Sequence, residues 1–205
     1  MVDLGRLKIG KNGLVTTESL ISFLLYCNSE ERGDAFCHLV LNEEMSKKYP
    51  MNHKTYYIGL TNAYDSGKIP PIMARTLFDF LFGEDCLNYC TKKDKDFYKS
   101  IKTDENGFVT LYRGCSKDES MNDEINGISW TTNRGVAEFF AFRFGQKGVV
   151  VSTKIPKTDI VTVLTDRCED ECIVTEIIDD FEIVTDKPTE YYAQYLVDKK
   201  RFNNL

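Results

Sequence analysis

Three short stretches of this 205-residue chain combine residue types that could act together on a polar, charged substrate. The first is Glu169-Asp170-Glu171, which holds the only Glu-x-Glu in the sequence and runs into the strand-like Cys172-Ile173-Val174. Alternation along an extended segment puts residues i and i+2 on one side, so Glu169 and Glu171 are expected to face the same cleft. Two carboxylates held together are costly to ionise fully, which suits a site that handles a proton or a developing cation. Cleavage of a glycosidic bond creates such a cation on the sugar, and a nearby carboxylate favours it. The plain alternative is a solvated acidic loop.

The second stretch is Leu111-Tyr112-Arg113-Gly114. An arginine on a rigid strand presents a planar fork of donors that fits phosphate or ribose oxygens, and a glycine beside it lets a flat ring approach the backbone. Arg113 also reads as a strand-end arginine in a surface ion pair. The third stretch is Ser129-Trp130-Thr131-Thr132. Ser129 and Thr131 are expected to share one face of a strand, with hydroxyls able to brace Glu171, while Trp130 points the other way into the core. A half-exposed strand with small polar residues outward explains the same pattern.

In this order, each beside an expected strand, these stretches resemble the arginine, Ser-x-Thr and Glu-x-Glu signature of the R-S-E class (cholera-toxin-like) of mono-ADP-ribosyltransferases, of bacterial or phage type. The resemblance covers about residues 108–185 and includes the Val136-Ala137…Phe140-Ala141 helix after the Ser-Trp-Thr strand. Tryptophan stands at the middle of the family's Ser-Thr-Ser pattern, and the N-terminal half carries no part of the signature.

The resemblance implies a glycosyltransferase that takes ADP-ribose from NAD as co-substrate, without a metal, on a domain of two small packed sheets. It implies that Arg113 and Gly114 dock NAD, that Ser129 and Thr131 serve the nicotinamide ribose, and that Glu171 is the catalytic carboxylate. Glu169 then activates or orients the acceptor, often an arginine side chain of a protein. Phe140, or Phe139, is a candidate to stack on nicotinamide, with a core role as the alternative. Thr165-Asp166-Arg167-Cys168 takes the place of the acceptor-recognition loop, where Arg167 either touches substrate or is a surface arginine. Water or a nucleic acid as acceptor, and a catalytically inert transferase-like binding module, are the competing readings.

The elements that must position these residues are legible from periodicity. Thr16 or Thr17 caps an apolar helical face of Leu20, Ile21, Phe23, Leu24 and Leu25. A second helix is expected over Asp34–Lys47 and a third, aromatic-rich one over Thr55–Tyr64, broken by Ser66-Gly67. Pro70-Pro71 opens a fourth, with Ile72, Met73, Leu77, Phe80 and Leu81 on one side until Gly83. After a polar stretch at Lys92–Glu105 and the turn Glu105-Asn106-Gly107, the texture changes to short β-rich runs. These are Phe108–Tyr112, Ile128–Thr131, Val149–Ile155, Ile160–Leu164, Ile173–Ile178 and Phe181–Thr185, with one amphipathic helix over Val136–Phe144 and a last helix at Glu190–Arg201. The expected organisation is α+β, with a helical region at 1–104 and a β-rich catalytic domain at 105–205.

Composition limits the partners. At 42% hydrophobic and 28% charged residues the chain can bury an ordinary core, and a net charge of −6 without a basic stripe disfavours duplex nucleic acid. The seven scattered cysteines argue for a reducing compartment. Cys86/Cys90 and Cys168/Cys172 have three intervening residues and no nearby histidine, which disfavours zinc. With no basic-then-apolar leader at the start and no run of ~18 apolar residues, the expectation is a cytoplasmic protein with no membrane partner, delivery into another cell remaining open.

Overall fold

The computed structural model of the chain describes residues 4–65, 69–81, 86–121, 124–145, 147–166 and 169–202, with the backbone only at residues 30, 144, 201 and 202. The expected breaks at Ser66-Gly67 and Gly83, the residues Arg167 and Cys168, and the side chain of Phe144 lie outside the described residues. The chain divides into two units, Met1–Tyr89 and Cys90–Leu205. The division thus falls before the polar stretch that was expected to end the helical region.

Side-chain caps or a first-turn proline set helices of the first unit. Helix α1 (Thr17–Tyr26) starts where the Thr16 hydroxyl accepts from the Ser19 amide, and it buries Leu20, Phe23 and Leu24 while leaving Leu25 exposed. The single helix expected over Asp34–Lys47 is two, α2 (Ser29–Leu41) and α3 (Glu43–Lys48). The break is at Asn42, whose side chain accepts from the amides of Glu44 and Met45 and so ends one helix by capping the next. Asn52 caps α4 (His53–Tyr64), and Pro71 occupies the first turn of α5 (Pro71–Asp79), where its missing N–H costs nothing. Tyr56, Tyr57, Leu60, Leu77 and Phe78 are buried, but Phe80, expected on the apolar side, is 63% exposed.

The second unit opens with α6 (Lys92–Ser100), a helix inside the stretch read as polar linker. A reciprocal cap forms it: the Thr91 hydroxyl accepts from the Asp94 amide while the Asp94 carboxylate accepts from the Thr91 amide. Its other end, Phe97, Tyr98 and Ile101, packs against the core of the β-rich part.

Among the described residues six strands follow: β1 (Phe108–Ser116), β2 (Ser129–Thr131), β3 (Gly148–Pro156), β4 (Thr162–Leu164), β5 (Glu171–Ile173) and β6 (Glu182–Thr185). They form one antiparallel sheet in the order β4-β5-β2-β1-β3-β6, where two small packed sheets were expected. The fifth run is strand only at its start, because beyond Val174 the chain leaves the sheet and returns in a single bridge between Ile178 and Ile125. Between strands lie α7 (Lys117–Ser120) and α8 (Arg134–Phe142), and α9 (Glu190–Phe202) closes the unit.

Alternation divides the sheet into two faces. One carries Val109, Leu111, Cys115, Trp130, Val149, Val151, Ile155, Val163 and Cys172 into the main core. On the other, Ala137, Ala141 and Phe142 of α8 pack with Val150 and Tyr112. Among the described residues no helix is long and apolar enough to cross a membrane.

Candidate active site

Register assembles part of the expected constellation. Strand β2 lies between β1 and β5, with Thr131 directly opposite Tyr112 on one side and Glu171 on the other; Ser129 is opposite Ile173. Directly paired residues project to the same face, so Ser129, Thr131, Tyr112 and Glu171 share a face, and Trp130 with Cys172 takes the other. Glu171 is 9% exposed and is also paired with Leu164 of β4, so its backbone is fixed from both sides. Trp130 is buried, and its indole N–H donates to the Gly127 carbonyl at 3.2 Å.

The Thr131 hydroxyl acts within the protein. It donates to the Glu169 carbonyl at 2.9 Å and accepts from the Asn133 amide at 3.0 Å. One side chain therefore ties the strand to the segment before Glu171 and to the start of α8, whose Asn133 cap accepts from the Gly135 amide at 2.9 Å. Ser129 is half-buried on the Glu171 face.

The side-by-side placement expected for Glu169 and Glu171 does not follow from the strand. Strand β5 begins at Glu171, and Asp170 has φ of +47°, a left-handed conformation that interrupts the two-residue alternation. Glu169 stands beside the site through its backbone, which Thr131 holds. Burial raises the Asp170 carboxyl above its ordinary value, with Lys93 opposing the shift. Burial, with the charge of Glu171 next, pushes the Cys172 thiol up to about 12, so it stays protonated and is no nucleophile.

Arg113 departs from its expected role. It lies on the main-core face, opposite Val151 of β3, while Glu171 projects to the other face. Its guanidinium donates from Nε and Nη2 to Glu119 Oε1 at 3.3 and 3.2 Å, and from Nη1 to the Ser129 carbonyl at 2.9 Å. It also lies so close over Gly127 that a Cβ there would come within 2.0 Å of it. The fork expected to grip phosphate thus braces α7 and the backbone of Ser129.

Gly114 is corrected in the same way. A Cβ at this position would fall 2.1 Å from the Ala137 carbonyl and 2.6 Å from the Ala141 amide. The close approach that requires glycine is made by the backbone of α8, which fills the space expected to receive a ring. Phe140, proposed to stack on nicotinamide, is half-buried; the Arg143 guanidinium lies 4.6 Å from its ring centroid and Phe139 meets it edge-on at 5.5 Å.

Reading the sequence missed three residues that organise this region: Glu119, Lys93 and Asp94. Asp94 is buried and its Oδ1 accepts from the Thr165 amide at 3.0 Å and hydroxyl at 2.7 Å, while Lys93 Nζ donates to the Thr165 carbonyl at 2.6 Å. The pattern Thr91-x-x-Asp94 is a capping-box signature and was the available signal. Glu119 had none, since its partner comes from another element.

Chemically, the Glu171 face offers a nearly buried carboxylate on a rigid strand, with Ser129 further along the same face, and such a carboxylate can favour positive charge that develops on a sugar. For a pyrophosphate, Arg113 is poorly placed, because it bonds Glu119 and the Ser129 carbonyl on the sheet face opposite Glu171. Among the described residues no group of three His, Cys, Asp or Glu side chains is arranged to hold a metal ion. No protein-family model matches the chain, and no curated protein or solved structure matches it.

Proposed function

We propose that the chain is an NAD-dependent mono-ADP-ribosyltransferase, a cytoplasmic glycosyltransferase that moves ADP-ribose to a protein acceptor, with an arginine side chain preferred. The observation that supports it is the position of Glu171, a nearly buried carboxylate directly opposite Thr131 and on the face of Ser129. NAD supplies a ribose carrying nicotinamide as leaving group. Glu171 stabilises the charge that develops on that ribose, Ser129 orients its hydroxyls, and Glu169 receives the proton of the acceptor. Arg113 serves by bracing the Ser129 backbone.

Nicotinamide release by wild type against Glu171→Gln tests the reading, because glutamine keeps the shape and removes the charge. The expected loss is about 10²–10³-fold, as for removal of one preorganised electrostatic group. An unchanged rate in the variant, or no nicotinamide from the wild type, removes the proposal.

A second reading has the engaged Arg113 in its favour, because its side chain and that of Glu171 occupy opposite faces. It makes the chain a transferase-like binding module that does not cleave NAD. Wild type that releases no nicotinamide, and whose melting temperature NAD does not raise, supports it over the transferase.

A further inference from the structure

The first unit, Met1–Tyr89, supplies no residue to the proposed reaction, and it holds a cavity of about 310 Å3. The end of α2, helix α3, the segment at Pro50 and Met51, the start of α4 and the end of α5 line it. Leu39 and Leu77 of this lining are buried. One wall is aromatic: the Tyr56 and Phe80 ring centroids are 5.0 Å apart, and His53 meets Phe80 edge-on at 6.3 Å. Tyr56 is held in turn by the fully buried Phe36, edge-on at 5.5 Å, so the wall is fixed by the core behind it. Phe80 and Leu41, both large, apolar and exposed, belong to the same lining.

The chemistry of the lining limits the guest. Among the described lining residues none is Asp, Glu, Lys or Arg. Three hydroxyls of the wall spend their protons on backbone: Tyr56 donates to the Leu77 carbonyl at 3.1 Å, Thr76 to the Ile72 carbonyl at 3.1 Å and Ser46 to the Glu43 carbonyl at 3.2 Å. Burial raises the Tyr56 phenol above its ordinary range, so that proton stays in place. A guest with several polar edges would give up bonds to water that these hydroxyls do not replace as donors. A single polar edge can remain in water beside His53, which is exposed. Size narrows the class further. An apolar cavity of about 150 Å3 takes up benzene, so one of about twice that volume suits two fused rings. Aromatic walls favour a flat ring over a branched aliphatic group, through edge and face contacts.

We infer that this cavity is a binding site for a small, neutral, bicyclic aromatic molecule with one polar edge, of the indole or naphthol class. The ring enters against Tyr56 and Phe80 and covers the apolar surface of Phe80 and Leu41 that otherwise meets water. The site draws only on the first unit, so it stands whether or not the chain cleaves NAD. It also accounts for an exposed Phe80 at the end of a helix whose Ala74, Leu77 and Phe78 are buried.

Indole and adenine, two flat bicyclic rings of similar size that differ in polar edges, supply the experiment. Each is titrated against the full-length chain with saturation-transfer NMR on the ligand signals. Indole is expected to bind with a Kd of about 1 mM or tighter, and adenine at least about 10-fold more weakly. Three substitutions at exposed positions locate the binding without disturbing the core. Thr76→Trp sets a side-chain ring of the protein's own at the cavity and is expected to weaken indole about 10-fold or more. Phe80→Ala removes part of the aromatic wall and is expected to weaken it about 3- to 10-fold. Ile72→Ser removes an exposed apolar side chain one helical turn from Thr76 and outside the lining, and is expected to leave the Kd within about 2-fold of wild type. No transfer to indole at about 5 mM overturns the inference. Adenine bound as tightly as indole overturns the chemical class. A loss in Ile72→Ser equal to that in Phe80→Ala overturns the site, because the ring would then be resting on outer apolar surface.

Discussion

At Asp170, backbone and charge each carry a cost. The residue adopts φ of +47° between two glutamates, and burial raises its carboxyl while Lys93 partly offsets the shift. A carboxyl whose folded value is raised binds its proton more tightly folded than unfolded, so stability falls as pH rises through that window and is lowest above it. Asparagine tolerates the left-handed region equally well and has no charge to desolvate. Asp170→Asn is therefore expected to unfold at higher urea than wild type at about pH 7, with the gap closing as pH falls below the ordinary carboxylate range of about 4. A gap that widens on acidification would contradict this. The same scale explains what could not be read at Arg113 and Gly114. Their types suited a fork for phosphate and a close approach by a ring, but whether ligand, Glu119 or α8 makes the contact depends on chain remote from the motif.

Elements were more legible than their partners. The strand runs at Phe108, Val149 and Phe181 and the helix at Val136 follow from alternation and apolar spacing, and the structure has a strand or helix at each. Two misjudged helix boundaries share a cause: local side-chain hydrogen bonds decided them. Asn42 splits one helix into two and Thr91 with Asp94 starts one in a stretch with almost no apolar face, which hydrophobic periodicity does not detect. Docking of α9 is of this kind too. Glu138 of α8 is fully buried and accepts from Arg134 Nε at 3.0 Å, the Thr189 amide at 2.9 Å and the Thr189 hydroxyl at 2.7 Å. Thr189 immediately precedes α9, so this carboxylate fixes where the last helix starts. Glu138→Gln keeps the volume but turns an amide N–H2 toward donors, and it is expected to cost about 3 kcal/mol in thermal or urea unfolding, as breaking a buried ion pair does. A loss of only about 0.5 kcal/mol, ordinary for a surface site, would show that Glu138 is not the tie.

For the whole molecule, the two units assign α6 differently from the composition of the chain. Polarity at Lys92–Glu105 looked like a linker because only Phe97, Tyr98 and Ile101 in it are large and apolar, too few to register over the charges. Those three nevertheless seal one side of the sheet's main core, and Asp94 holds Thr165 from the other end of the same helix. Every residue proposed to act on NAD lies in Cys90–Leu205, which has its own apolar core. A fragment of residues 90–205 is therefore expected to unfold cooperatively on its own, whereas one of residues 105–205, cut at the compositional break, leaves the apolar surface beneath Phe97, Tyr98 and Ile101 open to water. At roughly 1.5–3 kcal/mol for a fully buried large apolar side chain such as Ile101, and less for the half-buried Phe97 and Tyr98, losing these three takes a few kcal/mol from a domain whose total stability is on the order of 5–15 kcal/mol. Circular dichroism melts and dye binding to exposed apolar surface compare the two directly. A cooperative melt of the shorter fragment at the temperature of the longer one would show that α6 is an attachment to the sheet rather than part of its fold.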